Sequence, residues 1–223
     1  MSLPEDRMNS PRTHPISAFT LIEFLVTIAC VLMVVALILP RSTRSKAWAA
    51  QMNCTMNLKQ IDLGFRTWAF DNYGRFPMQV SITNGGTMEL VSSGFVFPHF
   101  LVMSNELSTP NILLCPNDKK RTYTTSFTGN LADANLSYFI NVDSAPGDGS
   151  SLLCGDRNLT NKAPAGSRFV SLFGTPVIGW TKDLHNEKGN LCYADGSVRG
   201  FTNGAAALTL RLPPGATNRL VMP

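Results

Sequence analysis

The sequence predicts an α+β fold in which one long N-terminal helix precedes a small antiparallel β-rich domain, and three observations lead there. Residues 19–39 are apolar except for Thr20, Glu23 and Thr27. Apolar residues then recur at three- and four-residue steps as far as Trp68. Beyond Pro77 the chain breaks into short apolar stretches cut by Gly, Pro, Asn and Asp.

The first run, at 1.5 Å per residue, makes a helix of roughly 30 Å, one hydrocarbon thickness. A cleaved secretory signal would have an apolar region of about 7–15 residues followed by a small-x-small site. Here the run is longer and Pro40-Arg41 follows it, so a membrane span is favoured. Glu23 is the anomaly, because a carboxylate at the centre of a spanning helix costs about 2.5–3.5 kcal/mol. Arg7 and Arg12 precede the span while Arg41, Arg44 and Lys46 follow it, so flanking charge does not set its orientation.

After Pro40, residues Ala47, Ala50, Cys54, Leu58, Ile61, Phe65 and Trp68 line one helical face, with Arg44, Gln51, Asn53, Lys59, Asp62 and Arg66 mostly elsewhere. The pattern stops at "DNYGRFP". The two segments read as one helix of about 50 residues, roughly 80 Å long, bent near Pro40, which lacks an amide donor. Phe65 and Trp68 are expected in the core; Trp48, ahead of the globular part, is the aromatic left for contacts with other subunits.

The stretches "GTMELV", "GFVFPHFLV", "NILLCP", "LSYFINV", "SLLCG", "RFVSLF" and "GNLCYADGSVRGF" read as strands, with a helical turn near residues 97–103. Asp195-Gly196 between apolar runs predicts a tight hairpin. Residues 203–223 read as a loosely attached tail. The expected organisation is therefore residues 1–18 ahead of the span, 19–39 as span, 40–72 as its amphipathic continuation, 73–202 as the β-rich domain, and the tail.

Composition narrows the function. The net charge is +4, and the 19 basic residues form no run or stripe, which argues against nucleic acid as a partner. Five cysteines lack the paired C-x2-C spacing of a zinc site. With Cys30 inside the apolar run, Cys54, Cys115, Cys154 and Cys192 remain, an even set suited to an oxidising compartment. The sequence does not choose among their three pairings; Cys54–Cys115 with Cys154–Cys192 is the pairing adopted as an expectation.

The stretch "AFTLIEFLVTIA" resembles the class III signal of type IV prepilins and type II secretion pseudopilins. The resemblance implies a leader, residues 1–18, removed by a prepilin peptidase between Ala18 and Phe19, with the new Phe19 amine open to methylation. The residue before the cut is usually Gly; here it is Ala18. Glu23 then falls at the fifth mature position, where it is expected to meet the Phe19 amine of a neighbouring subunit so that two buried charges offset each other. Pro40 matches the proline that interrupts pilin helices. "MNCTMNLKQIDLGFRTWAFDNYGRFP" is similar to the C-x-x-N-L-K-Q-I segment of pseudopilin-like proteins, and "HNEKGNLCYADGSV" resembles their His-x9-Asp-Gly motif, on His185, Asp195 and Gly196.

The resemblance thus implies a pilin-like subunit of a type II secretion pseudopilus or type IV pilus. It would be held in the inner membrane by a single pass with its C-terminal domain periplasmic, and then assembled into a filament through its apolar helix. The implied partners are other pilin or pseudopilin subunits, the prepilin peptidase and an inner-membrane assembly platform. The rival is a single-pass anchor displaying a periplasmic binding module that does not polymerise.

Catalysis is not expected. His185, Asp195 and Ser197 lack a nucleophile elbow or oxyanion loop, and Asp195 has a turn role. Calcium is the one metal considered, because Asp143, Asp148, Asp156 and Asn158 offer hard oxygens within a short span, though not at EF-hand spacing.

Overall fold

The computed structural model describes residues 19–38, 41–161, 166–203, 208–209 and 217–223. The chain forms two compact units, Met1–Arg44 and Ser45–Pro223. The protein is α+β, with an N-terminal apolar helix and a six-stranded antiparallel sheet.

In the first unit, α1 (Leu21–Ile38) is apolar on every face and none of its residues is buried. By length and composition it can cross a membrane. Thr20 caps it: Glu23 Oε2 accepts from the Thr20 N–H at 2.9 Å, and the Glu23 N–H reaches Thr20 Oγ1 at 3.3 Å. This T-x-x-E arrangement is a capping box, which satisfies two of the amide groups left open at a helix start.

The second unit begins within α2 (Arg41–Asp71), which ends where Tyr73 and Gly74 turn left-handed and the Gly74 N–H returns to Ala69 O. Cys54, Leu58, Ile61, Phe65, Trp68 and Ala69 form its buried face. The predicted aromatics Phe65 and Trp68 are among them, whereas Trp48 is 66% and Phe70 88% exposed. Pro40 and Ala18 lie outside the described residues, and the expected bend at Pro40 lies there with them.

Short helical turns recur through residues 77–113, including α3 (Phe97–Leu101) and α4 (Ser104–Leu107). The helical turn expected near residues 97–103 is α3, whereas "GTMELV" and "NILLCP", expected as strands, form turns at Met88–Ser93 and Pro110–Leu113. The reason is local. Pro98 and Pro110 sit in first turns, where a missing N–H costs nothing, Thr109 caps the N–H of Asn111, and Gly94 supplies a left-handed stop.

The large sheet comprises β1 (Tyr138–Asn141), β2 (Leu152–Asp156), β4 (Phe169–Phe173), β6 (Lys188–Tyr193), β7 (Val198–Thr202) and β9 (Thr217–Val221). Its order is β4-β9-β1-β2-β6-β7. A second sheet joins β3 (Leu159–Thr160), β5 (Val177–Trp180) and β8 (Leu208–Thr209). Side-chain alternation splits the large sheet between two cores. Tyr138, Ile140, Cys192 and Val221 join the face of α2 and the helical turns. Phe139, Leu191, Tyr193 and Leu220 join Leu159, Ile178 and Trp180 of the second sheet.

The segment expected as a loose tail requires correction. Its residues 217–221 are an interior strand, paired with β4 over five residues and with β1, and Leu220 and Val221 are fully buried. A strand paired on both sides has its backbone groups satisfied and its apolar side chains shared between both cores, so it does not fray.

Gly189 is required where the Trp180 ring lies on the strand: a Cβ there would come within 2.2 Å of the indole. Gly189→Ala is therefore expected to destabilise the second unit by about 1–3 kcal/mol, measured as a lower urea midpoint at unchanged slope.

Candidate functional site

Two groups of residues carry the functional reading, one in each unit. In the first, Phe19 is 70% exposed, and Glu23 lies one turn into an apolar helix that presents all its side chains outward. The Glu23 carboxylate accepts from Thr20 N and Oγ1 through Oε2 alone. Sequence reasoning identified Glu23 and missed its cap, although T-x-x-E ahead of an apolar run is a readable signal.

In the second unit the His185-to-Gly196 segment grips α2 at two places. His185 is 6% exposed, and its Nε2 lies 3.5 Å from Cys115 Sγ and 3.7 Å from Asp156 Oδ2. Cys115 is bonded to Cys54 of α2, so the histidine stands against the disulfide. Two helical turns further along α2, Asp195 and Gly196 form the predicted hairpin turn. Asp195 Oδ1 accepts from the Ser197 N–H at 2.8 Å, and Gly196 is left-handed. A Cβ at Gly196 would come within 2.9 Å of Asp62 Oδ2, and Arg66 Nη1 donates to Asp195 O. The glycine thus permits both the turn and its close seat on α2.

The C-x-x-N-L-K-Q-I segment forms the facing half of this grip. Cys54 carries the disulfide, Asn57 Nδ2 donates to Leu114 O and Tyr138 Oη, and Leu58 and Ile61 are fully buried. Asp62, expected on the polar side, is buried beneath the hairpin. Burial raises its pKa to about 6, with Arg66 pulling the other way and Asp195 adding to the rise.

His185 and Asp156 are both biased toward neutrality. Burial lowers the His185 pKa, and burial raises that of Asp156 to about 7 despite hydrogen bonds from Asn190. Their contact therefore joins weakly charged partners near neutral pH. His185 does not meet Asp195 or Ser197, whose Oγ has no hydrogen-bond partner among the described residues.

The four oxygen residues considered for calcium do not converge. Asp143 holds Arg219, Asp148 accepts from Ser150, Asp156 accepts from Asn190, and Asn158 donates to Thr181 O and Lys188 O. Each of the four has a local partner, and the structure does not gather them into one cluster. Of the two expected disulfides, Cys54–Cys115 is formed. Cys154 and Cys192 are cross-strand neighbours but free and buried thiols, which corrects the second pairing.

Asp118 and Arg157 had no local sequence signal. They form a bidentate pair at 2.6 Å, with Ser137 donating to Asp118 at 2.8 Å. Burial pushes the Asp118 pKa upward, but hydrogen bonds from Arg157 and Ser137 outweigh it and hold the carboxyl below its usual range. Arg157 also lines a cleft of about 570 Å³ with Arg121, Arg168, Asp133 and Asp183. Arg157 and Arg168 are already matched there by acids.

On α2, the exposed apolar residues Trp48, Met52, Met56, Leu63 and Phe70 follow at steps of four, four, seven and seven, and so share one stripe opposite the buried face. No protein-family model, curated protein or solved structure matches the chain.

Arg157→Met leaves Asp118 buried without its cation and is expected to cost about 3–5 kcal/mol in urea unfolding. The folded chain binds the Asp62 proton more tightly than an unfolded one, whose carboxyl keeps the ordinary value of 3.8. The penalty for ionising Asp62 is absent below that value and grows as pH rises through about 6. Asp62→Asn is therefore expected to flatten the fall in stability across this window, measured by unfolding at a series of pH values.

Proposed function

We propose that this chain is a structural subunit of a type II secretion pseudopilus or type IV pilus-like filament. It is inserted in the inner membrane by α1, cleaved before Phe19, open to methylation there, and polymerised through its apolar helix. The observation that carries this reading is an 18-residue helix with no buried side chain and an acid in its first turn. Such a surface is stable in lipid or against other helices, where apolar area is worth roughly 25 cal/mol per Å² removed from water. A carboxylate placed there favours a cation at the same depth, which the Phe19 amine of an adjacent subunit supplies. The exposed stripe from Trp48 to Phe70 adds to the apolar surface available to neighbours.

The capping box favours a second reading, since it gives Glu23 a use inside its own helix without any neighbour. On that reading the chain is a single-pass anchor for a periplasmic binding module and does not polymerise.

Mass spectrometry of the chain from its native membrane is expected to show a start at Phe19, with or without a methyl group; an intact Met1 or a start beyond Pro40 overturns the filament reading. Glu23→Gln separates the two roles, because glutamine keeps the capping box and loses the charge. Filament yield is expected to fall about tenfold or more in Glu23→Gln, as in Glu23→Ala. Normal polymers from Glu23→Gln would reduce the acid to a cap.

A further inference from the structure

Cys54, Cys115 and His185 bring two sulfurs and an imidazole nitrogen within 4.8 Å of one another, all buried, from α2, the loop after Leu113 and the loop before β6. Around a tetrahedral zinc ion, with Zn–S of about 2.3 Å and Zn–N of about 2.0–2.1 Å, sulfur and nitrogen stand about 3.5 Å apart. The Cys115 Sγ to His185 Nε2 distance is 3.5 Å. Two zinc thiolates stand about 3.8 Å apart, wider than any sulfur–sulfur bond, so the metal and the disulfide exclude one another. Asp156 Oδ2 is 3.7 Å from the same nitrogen but accepts from Asn190 and stands outside the cluster, so three side chains supply the ligands. Asn117 Nδ2 lies 3.5 Å from His185 Nδ1; a zinc-bound ring, protonated at Nδ1, needs that amide turned to present its oxygen.

We propose that Cys54, Cys115 and His185 form a zinc site, with the fourth position open, whenever the two sulfurs are thiols as the domain folds, and that the disulfide and the metal are alternative clasps for the same seam. Zinc takes the place of two thiol protons, which leave to solvent, and no electron moves. In the other outcome a disulfide-bearing oxidant accepts two electrons and two protons from the thiols, and the sulfur–sulfur bond forms. Cys54 and Cys115 are at most 1% exposed, so the choice is made during folding and then sealed. A domain folding on a reducing side of the membrane would be held by the metal, and one folding on an oxidising side by the bond.

The test uses the full chain in detergent, unfolded with a phosphine reductant in the absence of air and refolded with Zn²⁺ or Co²⁺. The reduced chain is expected to bind one ion, with a cobalt–thiolate charge-transfer band, and the chain refolded oxidised is expected to bind none. Cys115→Ser is expected to lose the band, and His185→Gln to weaken zinc binding by about tenfold or more against a chromophoric chelator. A reduced wild-type chain that develops no thiolate band, or that aggregates equally with and without zinc, overturns the proposal. So does a band that persists in Cys115→Ser, which would place the ion at Cys154 and Cys192.

Discussion

The seam between α2 and the large sheet is the constraint on which the second unit depends. A lone amphipathic helix of this kind has little stability in water, because most of its free energy comes from packing one face. Here that face is met by Tyr138, Ile140, Cys192 and Val221 and by the helical turns of residues 77–113. The Cys54–Cys115 bond closes the seam covalently across 61 residues, a loop for which chain entropy alone gives about 4 kcal/mol. The segment from His185 to Gly196 closes it again from the sheet side, with a histidine on the disulfide and a hairpin turn on Asp62 and Arg66.

Polar groups inside this unit are disposed to fix positions and to hold one another's charges. Asp118 ties Arg157, Ser137 and the Lys120 N–H into one knot beside β2. Asp133 accepts from the N–H groups of Val96 and Phe97 and so starts α3 from a distance. Asn141 joins Leu152 O to Asn218, linking β1 to both flanking strands. Such networks are stringent because a buried polar group left unpaired costs more than a paired one returns. They explain how a chain with a loop-rich middle holds one arrangement.

The first unit follows the opposite rule, since α1 satisfies its backbone internally and leaves every side chain outward. Its polar device is local, the box between Thr20 and Glu23. Functional meaning in this unit lies in what surrounds the helix, whereas in the second unit it lies in what the fold brings together.

The sequence by itself determined the apolar helix, the buried stripe of α2, the Asp195-Gly196 hairpin and most of the strands after residue 137, because each is written in a short-range period or a turn dipeptide. The helical turn around Pro98 was itself legible, whereas at residues 88–93 and 110–113 the apolar runs outweighed the local signals of Gly94 and Pro110. Tertiary structure alone decided the rest. That residues 217–221 run between β4 and β1, that Asp118 meets Arg157, that Asp62 is buried and that His185 faces the Cys54–Cys115 bond are all pairings across tens of residues. Side-chain type gives no range information, and only the closed chain chooses which distant donor reaches which acceptor.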